Sequence, residues 1–172
     1  MTKFLSHQIR SYRSLFRKHR TSLRRFLTKL SKQSPRGLDT RIRAIEPGVW
    51  KTIDCLACAN CCKTMTPTFT VADQKRISRH LGMTQAAFQQ KYLRRERGGD
   101  RDWLNRSLPC LFLNLADTKC SIYAVRPADC AGFPHLRKRF VDYGHVHHQN
   151  VDHCPATFEL VKRLKDSLSV SD

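Results

Sequence analysis

Apolar and aromatic side chains recur at helical spacing through the first thirty residues of the chain. The steps between them are three, four or seven residues, which is the interval at which one face of an α-helix repeats. Arginines and lysines surround this stripe, and His19 weakens its middle. The pattern predicts one cationic amphipathic helix or two shorter ones, followed by a linker over residues 31–37. The stripe consists of Leu5, Ile9, Tyr12, Phe16, Leu23, Phe26 and Leu30.

Three further helices carry start and stop signals. Thr70 can cap a helix that has Asp73 at its third position, and Gly82 ends it. Thr84 can cap the next helix, so that the two form a helical hairpin. A last helix is predicted to start near Pro155 and to run through residue 168.

The pattern changes between residues 108 and 130. Residues 110–113 and 120–123 are short strand-like runs separated by polar residues, which predicts a small β-hairpin with a cysteine in each arm. Arg126-Pro127 can begin a short helix through Cys130. The predicted fold class is therefore α+β, mainly α: a small single domain organised by metal, with a minor β-hairpin and an N-terminal basic helical arm.

Charge separates the arm from the rest of the 172-residue chain. The formal net charge is +18, and residues 1–43 hold thirteen Lys or Arg against a single acid, Asp39. We expect two parts, a basic arm with its linker over 1–43 and a cysteine-containing domain over 48–168. The arm could bind nucleic acid phosphates or an anionic membrane surface, act as a targeting peptide, or dock its stripe on the domain. No transmembrane segment is expected, because no apolar stretch approaches about 20 residues.

Four of the eight cysteines fall within eight residues, in the order Cys55-x2-Cys58-x2-Cys61-Cys62. Adjacent cysteines cannot pair without strain, whereas a metal ion or iron–sulfur cluster needs several thiolates on a short stretch. The chain shows no secretory signal, so a reducing, cytoplasmic location is expected and the thiols are interpreted as metal ligands. The alternative is a disulfide framework in an exported protein.

All eight cysteines are candidate metal ligands, and two kinds of site fit them. Cys55, Cys58 and Cys61 have the spacing that wraps three corners of a [4Fe–4S] cluster, with a remote cysteine as the fourth ligand. Eight thiols also suffice for two tetrahedral zinc sites. We expect the side chain of Cys62 to point away from that of Cys61 and to serve another site or remain a reactive thiol. The remote candidates are Cys110, Cys120, Cys130 and Cys154.

Other polar residues near the cysteines have weaker signals. The histidines before Cys154 could join a mixed zinc site, but a solvated polar loop is the expected form. Arg126 could pair with a carboxylate or offset thiolate charge. Its candidate partners are Asp54, Asp73 and Asp129, and the histidines are His145, His147, His148 and His153.

These motifs resemble the YkgJ-type cysteine-cluster family, described as zinc- or iron-chelating domains. Beside Cys-x2-Cys-x2-Cys-Cys, the shared pieces are Thr70-x2-Asp73, Pro109-Cys110, Cys120-x-Ile122-Tyr123-x2-Arg126-Pro127-x2-Cys130, Phe133-Pro134 and Cys154-Pro155. The resemblance covers about residues 50–160 and excludes the arm. Ala59 stands where the family commonly has glycine. The resemblance implies metal chelation and leaves the reaction undefined.

Two hypotheses of different classes follow. In the first, the protein holds an iron–sulfur cluster or iron for redox or electron transfer with an unknown protein partner. In the second, zinc stabilises a binding module whose basic arm contacts nucleic acid or an acidic partner. An enzymatic role has only a distant analogy to flagellin lysine methylases. No Gly-rich motif for a methyl donor accompanies it, and catalytic residues stay unknown.

Overall fold

The computed structural model describes residues 2–98 and 101–169, with side chains from Tyr12 onward. The chain divides into a terminal unit, Met1–Cys58 with Pro134–Asp172, and a central unit, Ala59–Phe133. The predicted class, α+β and mainly α, is confirmed, while the predicted division into 1–43 and 48–168 stays a prediction. The elements are α1 (Thr2–Lys32), α2 (Leu38–Trp50), α3 (Cys55–Cys58), α4 (Asn60–Thr64), α5 (Val71–His80), α6 (Gln85–Tyr92), β1 (Leu93–Arg95), β2 (Trp103–Asn105), α7 (Ala128–Gly132), α8 (Gly144–Asn150) and α9 (Pro155–Ser169).

The apolar stripe of α1 forms the core of the terminal unit. Four of its side chains are almost completely buried, and the ring of Phe16 lies 4.9 Å from that of Phe158 on α9. Helix α9 contacts both α1 and α2 and buries its apolar side chains between them. Three members of the predicted stripe are therefore confirmed as core, whereas Tyr12 and Phe26 are only half-buried and Leu27 was missed. The side chains of Leu5 and Ile9 lie outside the described residues. The four buried side chains are Phe16, Leu23, Leu27 and Leu30.

Helix α2 follows the predicted linker closely and was missed by the sequence pattern. Gly37 stands before it at φ 73°, a left-handed conformation that costs glycine little. The helix buries Leu38, Ile42 and Val49, so it belongs to the core of the terminal unit. Among the helices of the described residues, none combines the length and apolar character that crossing a bilayer requires.

The central unit is built on the predicted helical hairpin. Helix α5 begins with a capping box in which Thr70 and Asp73 exchange hydrogen bonds, and Thr84 caps α6 by accepting from the amide of Ala87. Both start signals are confirmed. The buried cluster beneath them consists of Phe69, Ile77, Phe88, Leu93, Phe112 and Ile122.

The small sheet lies elsewhere than predicted. Strands β1 and β2 pair antiparallel, with Leu93 opposite Asn105 and Arg95 opposite Trp103. The arms predicted at 110–113 and 120–123 form only an isolated bridge between Leu113 and Cys120. The Ser121 amide also donates to the Phe112 carbonyl, so the two arms face each other as predicted, but turns on both sides of the bridge keep them from forming strands. The pairing of β1 with β2 is stabilised by a cation–π contact, in which the guanidinium carbon of Arg95 lies 4.2 Å from the centre of the Trp103 ring.

Candidate metal centre

The eight cysteines fall into two groups, one in each unit. All eight belong to the described residues, and no disulfide joins any pair of them. The terminal group is Cys55, Cys58 and Cys154, and the central group is Cys61, Cys62, Cys110, Cys120 and Cys130. Thiols rather than disulfides in both groups leave every sulfur available as a donor.

A short turn presents the first two thiols of the terminal group. The Asp54 carboxylate accepts from the amides of Leu56 and Ala57, at 2.9 and 3.2 Å, and thereby caps α3. Cys55 and Cys58 are three residues apart on this turn, so their side chains share one side of it.

Cys154 lies at the start of α9 and is 5% exposed. Burial raises the pKa of its thiol, while the amides of Thr157 and Ala156 act in the opposite direction by donating to the thiolate. The charge of Cys58, in the same unit, also raises this pKa. A thiolate at this helix N-terminus is therefore stabilised by amide donors, as metal-bound sulfurs commonly are.

Cys61 and Cys62 open the central group on α4. Ala59 precedes this helix at φ 45°, the left-handed conformation that glycine adopts more easily. The two Sγ atoms lie 3.9 Å apart, so the expectation that Cys62 points away from Cys61 is wrong. The hydrogen bond from Cys61, helped by the charge of Lys63, lowers the pKa of Cys62 to about 7 against the opposing effect of burial.

Backbone hydrogen bonds bring the next two cysteines to Cys62. The amide of Cys110 donates to the carbonyl of Cys62 at 2.8 Å, and the amide of Leu113 donates to the carbonyl of Cys110. The bridge between Leu113 and Cys120 then places Cys120 across from this turn. Cys110 and Cys120 both pack against the buried cluster of the central unit. Burial, and then the charges of Cys62 and Cys120, raise the pKa of Cys110 to about 11.

Cys130 completes the central group from α7. Burial raises the pKa of its thiol most, and the charges of Cys62, Asp129, Cys110 and Cys120 raise it further. Neutral thiols held near one another in this way repel as thiolates, and a bound cation would remove that repulsion. The donor set thus fits zinc or iron.

Asp73 fixes the segment that carries Cys130. Its carboxylate is 1% exposed and accepts from the Thr70 amide and hydroxyl, from the Arg76 guanidinium at 2.6 Å, and from the Ala128 amide at 3.1 Å. Burial alone would raise the pKa of Asp73, but these hydrogen bonds hold it below its ordinary value. The role of Arg76 was missed, although its i,i+3 spacing from Asp73 is a sequence signal.

Arg126 lies near the central group without joining Asp73. Its guanidinium donates to the carbonyl of Tyr123 at 2.8 Å and lies 4.0 Å from the centre of that ring. Its positive charge lowers the pKa of Cys120, opposing the larger effect of burial. Offset of thiolate charge is therefore the role that its position favours, whereas Asp73 pairs with Arg76 instead.

The histidines do not form the solvated loop that was expected. Helix α8 contains three of them, and His147 is completely buried with its ring stacked on Phe140 at 4.2 Å. Among the described residues, neither ring nitrogen of His147 has a hydrogen-bond partner. Burial, and then the charges of His135, His145 and His148, lower its pKa to about 4. The expected solvated loop is therefore wrong for His147, because its neutral ring packs in the core of the terminal unit.

The side chains still have to move before they could hold an ion. As placed, no three Cys, His, Asp or Glu side chains within residues 12–98 and 101–169 are grouped closely enough to do so. Zinc–sulfur bonds are about 2.3 Å long, which puts two ligand sulfurs about 3.8 Å apart. The Cys61–Cys62 separation already has this value.

The family model "CxxCxxCC: Putative zinc- or iron-chelating domain" matches residues 54–155, which include all eight cysteines and Asp73. No solved structure matches the chain.

Proposed function

Because the chain belongs to the CxxCxxCC family of zinc- or iron-chelating domains, we propose that its central group holds an iron–sulfur cluster used for electron transfer. The observation that carries this proposal is geometric: the Cys110 amide donates to the Cys62 carbonyl, and the Leu113–Cys120 bridge places Cys120 across from that turn. The proposed ligands are Cys62, Cys110, Cys120 and Cys130, and Cys61, which is hydrogen-bonded to Cys62, is the spare thiol of the group. Four thiolates are the ligand set of [2Fe–2S] and [4Fe–4S] clusters. When bound, such a cluster supplies a redox centre.

The surrounding residues suit that role. The four thiols are half-buried, and two of them pack on an apolar cluster, an environment that limits water access and tunes the potential of a bound cluster. Arg126 adds positive charge beside Cys120. The partner is then an electron-carrying protein, and a reducing cytoplasmic compartment is part of the proposal.

Zinc is the second candidate. The central unit has a small buried cluster of six residues, and a small core gains stability from a metal that joins distant segments. In this case the protein is a zinc-stabilised binding module rather than a redox protein. Its four ligands would be the same thiols.

Anaerobic purification followed by iron, zinc and acid-labile sulfide analysis separates the two candidates. A brown protein whose visible absorption bleaches with dithionite, and which contains iron and sulfide in equal amounts, supports electron transfer. A colourless protein with stoichiometric zinc contradicts it and supports the binding module. Replacement of the medium iron by zinc during expression tests whether the zinc form arises only when iron is scarce.

A further inference from the structure

The outward face of α1 carries two rows of cations along a line of hydroxyl residues. At 100° per residue, Ser14, Thr21 and Thr28 follow one another along the centre of this face, and all three are exposed. No acidic residue occurs in Thr2–Lys32. One row consists of Arg13, Arg17, Arg20 and Arg24, and the other of Lys18, Arg25, Lys29 and Lys32.

A shallow depression lies over the middle of this face. It is lined by Arg20, Arg24 and Arg25 and by the hydroxyl residues Thr21 and Thr28. Guanidinium groups and hydroxyls are the donors that contact phosphate oxygens in protein–nucleic acid complexes. The Thr28 hydroxyl already donates to the Arg24 carbonyl. The depression therefore offers an anion positive charge together with the donors of its guanidinium groups and of Thr21.

The two rows differ in how much of their charge is already compensated. The Asp152 carboxylate accepts from Arg20 Nε at 2.9 Å and from Arg24 Nη2 at 2.8 Å, so it orients both guanidinium groups. In the part of the chain that the structure describes, no carboxylate pairs with Lys18, Arg25, Lys29 or Lys32. The positive charge of the second row is therefore not compensated by a carboxylate within the described residues.

The opposite face of α1 argues against membrane insertion. An amphipathic helix binds a bilayer by burying its apolar face among the acyl chains. Here Phe16, Leu23 and Leu27 are at most 7% exposed because they form the core of the terminal unit. Over residues 12–32, the part of α1 whose side chains the structure describes, the cationic face is therefore the one left for a partner.

We propose that the α1 cationic face, defined as the two rows and the hydroxyl line between them, binds the phosphodiester backbone of nucleic acid. From Arg13 to Lys32 the rise along the helix is about 28 Å, which equals about eight base pairs of duplex. The face has no Asn or Gln side chain to pair with adenine. Its arginines and lysines are the main donors to phosphate oxygens, so we expect contacts to the backbone to dominate binding and to give it little dependence on sequence.

Fluorescence anisotropy with a labelled 20-base-pair DNA duplex and a 20-nucleotide RNA tests the proposal on the full metal-loaded chain. Six cations outside the Asp152 pairs predict a slope of log K against log salt of about −5 for the duplex. The quadruple variant Lys18→Gln, Arg25→Gln, Lys29→Gln, Lys32→Gln should reduce the slope to about −2 and weaken binding at least tenfold at low salt.

A matched control removes the same charge from the central unit through Lys75→Gln, Arg79→Gln, Lys91→Gln and Arg94→Gln, all at exposed positions. This variant should bind nucleic acid as the wild type does. Equal losses in the two quadruple variants would show that net charge alone attracts the nucleic acid, and would overturn the proposal. It is likewise overturned if phosphatidylserine vesicles capture the wild type while both oligonucleotides fail to bind. Circular dichroism of each variant establishes that the helices are retained.

Discussion

The carboxylate of Asp73 accepts a hydrogen bond from the amide of Ala128, 55 residues further along the chain. Ala128 begins α7, two residues before Cys130. The Arg76 guanidinium, which also binds Asp73, donates to the carbonyl of Arg126 at 2.8 Å. The N-terminus of α5 thus holds the segment that presents a cysteine of the central group.

Asp73→Asn should weaken both the fold and metal retention. The substitution removes the charge that pairs with Arg76 and one acceptor of a buried capping box, which together stabilise the folded state by about 3 kcal/mol. Because Asp73 orients Cys130 rather than binding metal, we expect a roughly 10- to 100-fold loss in metal affinity. Urea unfolding and competition with a chromogenic chelator measure the two effects.

Asp102→Asn is the control for this prediction, since Asp102 is an exposed acid of the same unit. It should change neither quantity appreciably. Unchanged metal affinity in Asp73→Asn, accompanied by the loss of stability, would show that the hydrogen bond to Ala128 supports the fold alone.

Serine variants distinguish the two cysteine groups. Cys120→Ser should abolish the visible chromophore, or the zinc of the second candidate, because it removes a central ligand. Cys58→Ser should leave the chromophore in place, because Cys58 belongs to the terminal group with Cys154. Metal content and absorption spectra of the anaerobically purified variants are the measurement. If Cys58→Ser instead removes the chromophore, the ligands are the sequence-predicted set with Cys55, Cys58 and Cys61.

His147 makes the fold sensitive to acid. Its pKa is about 4 in the folded protein and about 6.5 in the unfolded chain. The unfolded chain therefore binds the extra proton between these values, and stability falls as the pH is lowered from 6.5 to 4. The 2.5-unit difference corresponds to a loss of about 3 kcal/mol.

His147→Phe should remove this loss, since a neutral ring of similar size keeps the stacking on Phe140. Urea unfolding of the wild type and the variant between pH 7 and pH 4 gives the comparison. His145→Gln is the matched control, because His145 is exposed on the same helix. If the free energy of unfolding falls equally with pH in the wild type and in His147→Phe, protonation of His147 is not the cause of the acid sensitivity.

Phe16→Ala should destabilise the terminal unit strongly. The side chain is 7% exposed and its ring contacts that of Phe158, so its removal leaves a cavity that costs about 4 kcal/mol. The neighbouring Leu15 is 38% exposed, and Leu15→Ala should cost less than about 1 kcal/mol. Thermal unfolding by circular dichroism records both. Equal, small effects would mean that α1 is not packed on α9 in solution.

Local patterns in the sequence determined the helices with strong signals and the chemistry of the site. Thr70, Thr84 and Pro155 mark helix starts through hydrogen bonds and backbone restraints that span only a few residues. The CxxCxxCC spacing similarly identified the family, because thiols that share a short loop have few other uses.

Only the tertiary structure decided how the cysteines are divided between the two units, what Asp73 holds and which histidine is buried. Each of these depends on contacts between segments that are far apart in sequence, such as the hydrogen bond from Cys110 to Cys62 or the stacking of His147 in the core. Burial raises the free energy of the charged form of an ionisable group, and it leaves no local pattern in the sequence. The same reason applies to α1, whose stripe predicted a helix but whose packing on α9 left its cationic face as the exposed surface.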